Sequence, residues 1–249
     1  MYMLFGVFVF IFGTIIGSFL NVVAYRYNTG MGLGGRSKCF SCGMTLSWKE
    51  LIPVLSFVAQ GAKCKNCKTS ISYQYPIVEA CTGAIFWLVA QRSLPLIVPV
   101  GVPLLLAVFA IAALFIVISI YDVRHKIIPD GLVALLIAAG LLNALTTDDR
   151  WQTMGVGLLI AIFFASFWYF SKGRAMGLGD AKLALAIGWL LPPRESVTAV
   201  TLAVWIAAAI GVALLATHSK KTTLKTEIPF GPFLALGALI VYAFQFSLL

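Results

Sequence analysis

Residues 97–120 read IVPVGVPLLLAVFAIAALFIVISI, and Tyr121-Asp122-Val123-Arg124 follow directly. No charged residue interrupts the run. About 20 apolar residues suffice for a helix to cross the hydrocarbon core of a bilayer. The stretch therefore reads as a membrane span with a carboxylate at its end. Outward from it, apolar stretches recur at 2–25, 76–92, 130–146, 152–171, 179–191, 196–217 and 229–248. Stretch 179–191 is short, but a basic loop precedes it and Pro192-Pro193 follows. Stretch 2–25 has no basic leading region and no small-residue cleavage site, so it reads as a span and not as a removable signal. The expected fold is thus an all-α polytopic membrane protein of about eight transmembrane helices. Composition agrees: 61% of the 249 residues are apolar, 11% are charged, and the mean hydropathy is +0.98. Soluble domains carry about 25% charged residues. A soluble globule and a disordered chain are both excluded, and the sequence holds no internal repeat.

The net charge of +9 comes from 18 basic and 9 acidic residues. Nucleic-acid binding is not the expected reason for the excess. Basic residues gather in the loops that stay in the cytoplasm. Arg26, Arg36, Lys38, Lys49, Lys63, Lys65 and Lys68 lie in segment 26–75. Arg124, Lys126, Lys172, Arg174, Lys182, Lys220, Lys221 and Lys225 lie in later loops or at span mouths on the same side of an eight-span path. Arg92, Arg150 and Arg194 fall on the other side, so the division is fifteen against three. It predicts both termini outside and segment 26–75 in the cytoplasm. The expected division is a first helix (1–25), a cytoplasmic segment (26–75) and a seven-helix membrane domain (76–249).

Segment 26–75 contains four of the five cysteines, as Cys39-Phe-Ser-Cys42 and Cys64-Lys-Asn-Cys67 with 21 residues between the pairs. Two such knuckles suit a tetrahedral zinc site with four thiolate ligands. Two disulfides are the alternative, disfavoured by a reducing cytoplasm. Four cysteine ligands leave no open position, so the expected zinc is structural. Cys81 lies within an apolar run and reads as a packing residue.

Ionisable groups in or beside spans mark function more often than surface charges do. Asp148, Asp149, Glu195, Glu50 and Glu227 fall in loops. Glu79, Asp122, Asp130 and Asp180 remain. Asp122 closes the span quoted above, and Asp180 opens another in Gly177-Leu178-Gly179-Asp180-Ala181-Lys182. Both fall at the cytoplasmic depth. Two facing carboxyl groups can share a proton, one activating water while the other protonates a scissile carbonyl. Gly177 and Gly179 would let an extended substrate approach. Each aspartate also has a structural reading: Asp122 paired with Arg124 or capping, Asp180 as a helix cap. Asp130, after Pro129, reads as a cap. Glu79 reads either as a site for a cationic substrate group or as a partner for a cytoplasmic lysine.

In order along nearly the whole chain, these segments resemble the type IV prepilin peptidases, or leader peptidase/N-methyltransferases, which are GxGD-type aspartic membrane proteases. The resemblance rests on Gly17-Ser18-Phe19-Leu20-Asn21 with Arg26, on Gly35-Arg36-Ser37-Lys38-Cys39, and on Glu50-Leu51-Ile52-Pro53. It continues through Tyr75-Pro76-Ile77-Val78-Glu79, Asp122 with Ile128-Pro129-Asp130, the Gly177–Lys182 motif, and Ile228-Pro229-Phe230-Gly231-Pro232. It implies removal of the basic leader from type IV prepilins or the pseudopilins of type II secretion at the cytoplasmic face of the bacterial inner membrane. It also implies S-adenosylmethionine-dependent methylation of the new N-terminus, with Asp122 and Asp180 as the catalytic pair and Cys39, Cys42, Cys64 and Cys67 on zinc. Gly61-Ala62-Lys63-Cys64 departs from the family's Gly-basic-Cys order. No glycine-rich dinucleotide loop is present, so the methyl-donor site has no expected position. A peptidase without methyltransferase activity is the alternative. A proton-coupled transporter would place its acids nearer mid-span, and a zinc-ribbon scaffold would need no dyad.

Overall fold

The computed structural model describes residues 2–174, 176–216 and 228–248. Lys220, Lys221, Lys225 and Glu227 lie outside the described residues, as does the end of the expected span 196–217. The described chain is helical, with no strand among its residues: α1 (Tyr2–Arg26), α2 (Leu55–Ala59), α3 (Gln74–Val100), α4 (Val102–His125), α5 (Asp130–Thr146), α6 (Arg150–Ser171), α7 (Leu178–Leu190), α8 (Pro193–Ala216) and α9 (Gly231–Phe244).

Four described helices are long and apolar enough to cross a membrane: Leu4–Arg26, Val102–His125, Arg150–Ser171 and Pro193–Ala216. Helices α5 and α9 are apolar but shorter. The 13 residues of α7 span roughly 20 Å at 1.5 Å each, less than a hydrocarbon core. One boundary differs from the sequence reading. The break expected before residue 97 falls at Gly101, whose φ of +84° ends α3 and lets α4 start at Val102. The helix carrying Asp122 therefore runs through it to His125.

The chain divides into two compact units, Met1–Ala113 and Leu114–Leu249. In the first, α1 lies against α3. Small residues permit the approach: a Cβ on Gly13 would lie 2.8 Å from the Gly83 Cα, and one on Gly17 would lie 2.9 Å from the Glu79 Cα. Close backbone contact of this kind holds helices together where lipid removes the hydrophobic drive. Phe86 is 2% exposed and stacks on Phe109 with ring centroids 4.4 Å apart. The segment between α1 and α3 is built from tight turns, a 3-10 turn at Trp48–Leu51, and α2.

In the second unit α7 packs against α5 and α6, and α8 against α9. Leu183, Ala184, Ala186 and Ile187 of α7 are wholly buried. The end of α7 is closed from α5. Asn143 Nδ2 donates to the Trp189 and Leu190 carbonyls at 3.0 and 3.3 Å, satisfying two acceptors that a helix end otherwise leaves open. The opposite end of α7 presents Asp180.

Candidate functional site

Asp122 sits in the last turn of α4 and is 4% exposed; Asp180 sits in the first turn of α7 and is 8% exposed. Neither carboxylate is among the solvated groups of a loop. The Gly231 N–H, at the start of α9, donates to Asp122 Oδ2 at 3.0 Å. The Gly177 N–H donates to Asp180 Oδ2 at 3.2 Å, while the Asp180 N–H returns a bond to the Gly177 carbonyl. Each acid is thus oriented by the backbone of a glycine. The Asp180 contact is also the helix-capping geometry that its sequence position allows. The two carboxyl groups lie within electrostatic reach of each other.

The neighbouring glycines have distinct surroundings. A Cβ on Gly179 would come within 2.8 Å of the Ile128 Cβ, and a Cβ on Gly231 within 2.7 Å of Asp122 Oδ2 and 3.4 Å of Ile128 Cδ1. Ile128 therefore fits between the two glycines. Gly177 is exposed, and a Cβ there would find its nearest neighbour, Asp180 Oδ2, at an ordinary 3.5 Å. Gly231 went unassigned in the sequence reading. Its Pro-Phe-Gly-Pro setting marked the segment without revealing that it lies on Asp122, 109 residues earlier.

Asp130 is not the cap of α5; Pro129 holds that position. The Asp130 carboxylate instead pairs with Lys182 Nζ at 2.7 Å, joining α5 to α7 two residues beyond Asp180. The partners are 75% and 40% exposed, so the pair contributes little stability.

In the first unit Glu79 is 7% exposed. Its Oε2 accepts the Val54 N–H at 2.7 Å, and Ser18 adds a side-chain hydrogen bond. Among the described residues no lysine pairs with it. Val54 holds φ +61°, an outlier for a β-branched residue. Asn21, fully buried, accepts the Gln74 side-chain N–H at 3.4 Å. The Gly17–Asn21 stretch and the start of α3 thus form one contact across more than 50 residues of sequence.

The four cysteine sulfurs of the two knuckles lie within 4.8 Å of one another, and all five cysteines are free. The two knuckles are alike. Gly43 N–H donates to the Cys39 carbonyl and Lys68 N–H to the Cys64 carbonyl, and a single β-bridge closes each, Lys38 to Thr45 and Lys63 to Ser70. A tetrahedral zinc with bonds of about 2.3 Å sets its sulfurs about 3.8 Å apart. Cys39 and Cys67 Sγ are 3.8 Å apart, so the donor set fits. The Thr69 hydroxyl, 3.3 Å from Cys67 Sγ, and the Thr69 N–H draw the Cys67 thiol down to about 6. The Met44 N–H likewise lowers Cys42. The Cys67 thiolate is thereby favoured at neutral pH, whereas the Cys39 thiol is shifted upward, so a metal bound there would displace the Cys39 proton.

The bacterial peptidase A24 N-terminal domain matches residues 11–93, and the type IV leader peptidase family matches residues 107–212. A prepilin leader peptidase/N-methyltransferase of Burkholderia pseudomallei (strain K96243) is 32% identical, over 92% of this chain and 82% of its own length. The enzyme of the same description from Bacillus subtilis (strain 168) is 30% identical, over 96% and 94%. A type 4 prepilin-like proteins leader peptide-processing enzyme of Escherichia coli O78:H11 is 31% identical, over 94% and 91%. No solved structure matches the chain. With relatives so described aligned over nearly their full lengths, the chain belongs to the type IV leader peptidase family.

Proposed function

We propose that this protein cleaves the basic leader from type IV prepilins or pseudopilins at the cytoplasmic face of the inner membrane, with Asp122 and Asp180 as the catalytic pair. The observation carrying the reading is the pair itself: two buried carboxyl groups on different helices, each oriented by a glycine N–H. Such a pair holds one proton between them. The ionised aspartate takes a proton from water as the water oxygen bonds to the scissile carbonyl carbon. The protonated one gives its proton to the carbonyl oxygen. Collapse of the tetrahedral intermediate breaks the C–N bond, and a proton goes to the departing amine. The exposed backbone at Gly177 gives an extended leader junction a place to lie beside Asp180, while Gly179 keeps the Ile128 packing close.

The path proposed is eight spans with both termini outside, a cytoplasmic segment 26–75, and a membrane domain 76–249 that includes the catalytic pair. The charge division of the loops supports it. Cys39, Cys42, Cys64 and Cys67 would hold one structural zinc, which supplies folding free energy to a segment with little core. The relatives' descriptions support a second activity, N-methylation of the new N-terminus with S-adenosylmethionine as donor. In that step the methyl carbon passes from the sulfonium sulfur to the neutral amine. The C–S electron pair stays on sulfur, and one proton leaves the product.

The test is purified protein incubated with a prepilin and S-adenosylmethionine, the mature N-terminus being read by mass spectrometry. A shortened, methylated product is expected. An unshortened precursor refutes the peptidase reading; a shortened but unmethylated one refutes the second activity alone.

A further inference from the structure

Residues 51–59, Leu-Ile-Pro-Val-Leu-Ser-Phe-Val-Ala, carry no charge, and none follows before Lys63. They belong to the segment read as cytoplasmic, yet their apolar side chains are turned outward. Leu55 and Val58 of α2 are 68% and 72% exposed, and the preceding Leu51 and Ile52 are exposed too. Ser56 and Phe57, on the other face of α2, line a cavity of the same unit. A helix facing water shows the reverse, with its polar side outward. Two sets of contacts place the stretch along α1. The Val54 N–H donates to Glu79 Oε2 at 2.7 Å, and Glu79 also bonds the Ser18 side chain and lies against Gly17. Ser18 precedes Arg26 by eight residues, which is about 12 Å along a helix. Leu33, Leu51 and Pro53 share a groove with Ile15, Phe19 and Val22, all three within the candidate span Leu4–Arg26. The one charged residue lining that groove, Arg26, gives its Nη1 to the Gly32 and Gly34 carbonyls at 2.9 and 2.7 Å.

We propose that residues 51–59 form a re-entrant element seated in the inner leaflet, with Leu51, Ile52, Leu55 and Val58 among the acyl chains and Glu79 as the positioning residue that holds the turn at that depth. The proposal rests on the reading of α1 as a span with segment 26–75 on its cytoplasmic side, and moves part of that segment below the headgroups. Lipid is the occupant because the exposed face lies level with side chains of a span. Chain that enters lipid must find partners for its backbone N–H groups within the protein. Pro53 has no N–H to satisfy. Val54 donates to Glu79, Leu55 to the Pro53 carbonyl at 2.6 Å, Ser56 to the Ile52 carbonyl at 3.0 Å and Val58 to the Val54 carbonyl at 3.2 Å. The φ of +61° at Val54 has a purpose here, since that turn presents the N–H to the carboxylate. Charges flank the stretch. Lys49 Nζ lies 5.6 Å from the Trp48 ring centroid just before it, and Lys63 follows it, as cations and tryptophan do at a membrane interface.

The test reads depth in a bilayer. A fluorescent amino acid is introduced in place of Leu55, Val58 or, as a reference on a knuckle, Lys65, and the full-length protein is placed in nanodiscs of phosphatidylethanolamine and phosphatidylglycerol. Quenching is measured with lipids carrying a nitroxide on the acyl chain and, separately, with iodide in the water. Probes at Leu55 and Val58 should be quenched several-fold more by the nitroxide than the probe at Lys65, and several-fold less by iodide. Iodide quenching at Leu55 and Val58 equal to that at Lys65 overturns the proposal. Glu79→Ala leaves the Val54 N–H without its acceptor, and should shift the Val58 probe from nitroxide to iodide quenching. Glu79→Gln, whose amide oxygen can accept the same N–H, should keep the wild-type pattern. Unchanged quenching in Glu79→Ala overturns the role given to Glu79. Zinc content and elution volume establish that each variant is folded, and the comparison of probe positions needs no variant of Glu79. If the nitroxide fails to quench while an added prepilin shields both positions from iodide, the face belongs to the substrate helix and the proposal falls. A nanodisc is open on both faces, so the depth result does not depend on which face is cytoplasmic. Iodide quenching of the Lys65 probe from outside intact spheroplasts would overturn the topology separately.

Discussion

Gly231→Ala isolates the orientation of Asp122 from its chemistry. The variant keeps both aspartates and the Gly231 N–H donor. Gly231 is not in the left-handed region, so alanine adds no backbone strain. It adds one methyl group, which would sit 2.7 Å from Asp122 Oδ2 and 3.4 Å from both Asp122 Cγ and Ile128 Cδ1. Relief to an ordinary contact of about 3.4 Å requires the carboxylate and the α9 backbone to part by about 0.7 Å. Ile128 blocks sideways escape, because it is also pressed against Gly179. A misplacement near 1 Å at a reacting group costs on the order of 100-fold in rate. Overpacking a buried site costs about 1–3 kcal/mol in stability, too little to unfold most proteins. The expected result is cleavage slowed roughly 30- to 100-fold in kcat, with KM, zinc content and membrane insertion near wild type. Initial rates on a purified prepilin, across substrate concentration in one detergent, separate kcat from KM. Cleavage within threefold of wild type would refute the claim that this contact positions Asp122.

Asp122→Asn and Asp180→Asn should each lower cleavage by at least about 1,000-fold without loss of protein from the membrane, since asparagine keeps the shape but carries no exchangeable acid proton; residual activity above a hundredth of wild type would contradict the pair. Asp130→Asn should stay within a few-fold, because its exposed ion pair with Lys182 contributes about 1 kcal/mol or less. The purified protein should contain about one zinc per chain, and Cys39→Ser should release it and expose segment 26–75 to protease; a metal-free preparation with intact disulfides would exclude the site. The Ser47 N–H and hydroxyl, 2.8 and 2.7 Å from Glu50 Oε2, hold the Glu50 carboxyl below its ordinary value. Its contribution is therefore full above a pH of about 4.3 and is lost as pH falls through the lowered value. Melting curves of wild type and Glu50→Gln should differ at pH 7 and draw together as pH falls below about 4.3; an equal melting temperature throughout would refute it.

The parts legible in the sequence were those whose physics is local. Two Cys-x-x-Cys turns bring their own sulfurs together within each knuckle, and only one further closure makes the cluster of four. Asp180 and Gly177 are three residues apart, so the cap geometry follows from helix formation alone. Apolar length announces α1, α4, α6 and α8 directly. The end of α3 was less legible because the apolar stretches 76–92 and 97–120 put the break at residues 93–96, whereas Gly101 supplies it.

What stayed hidden depends on contacts between distant segments. The Gly231 N–H reaches Asp122 across 109 residues, and nothing in Pro-Phe-Gly-Pro says that a carboxylate will lie against it. Glu79 was open to two readings because periodicity cannot say whether a buried acid meets a lysine or a backbone N–H. Val54, in a conformation its branched side chain disfavours, settles which partner it has. The loop after α1 takes its shape from Arg26, whose Nη1 donates to the Gly32 and Gly34 carbonyls, and no motif announced those bonds. In each case a glycine or a strained turn makes room for, or a backbone donor to, a side chain that carries charge. Such positions favour the geometry of a site over local propensity, and that is why propensity and periodicity pass over them.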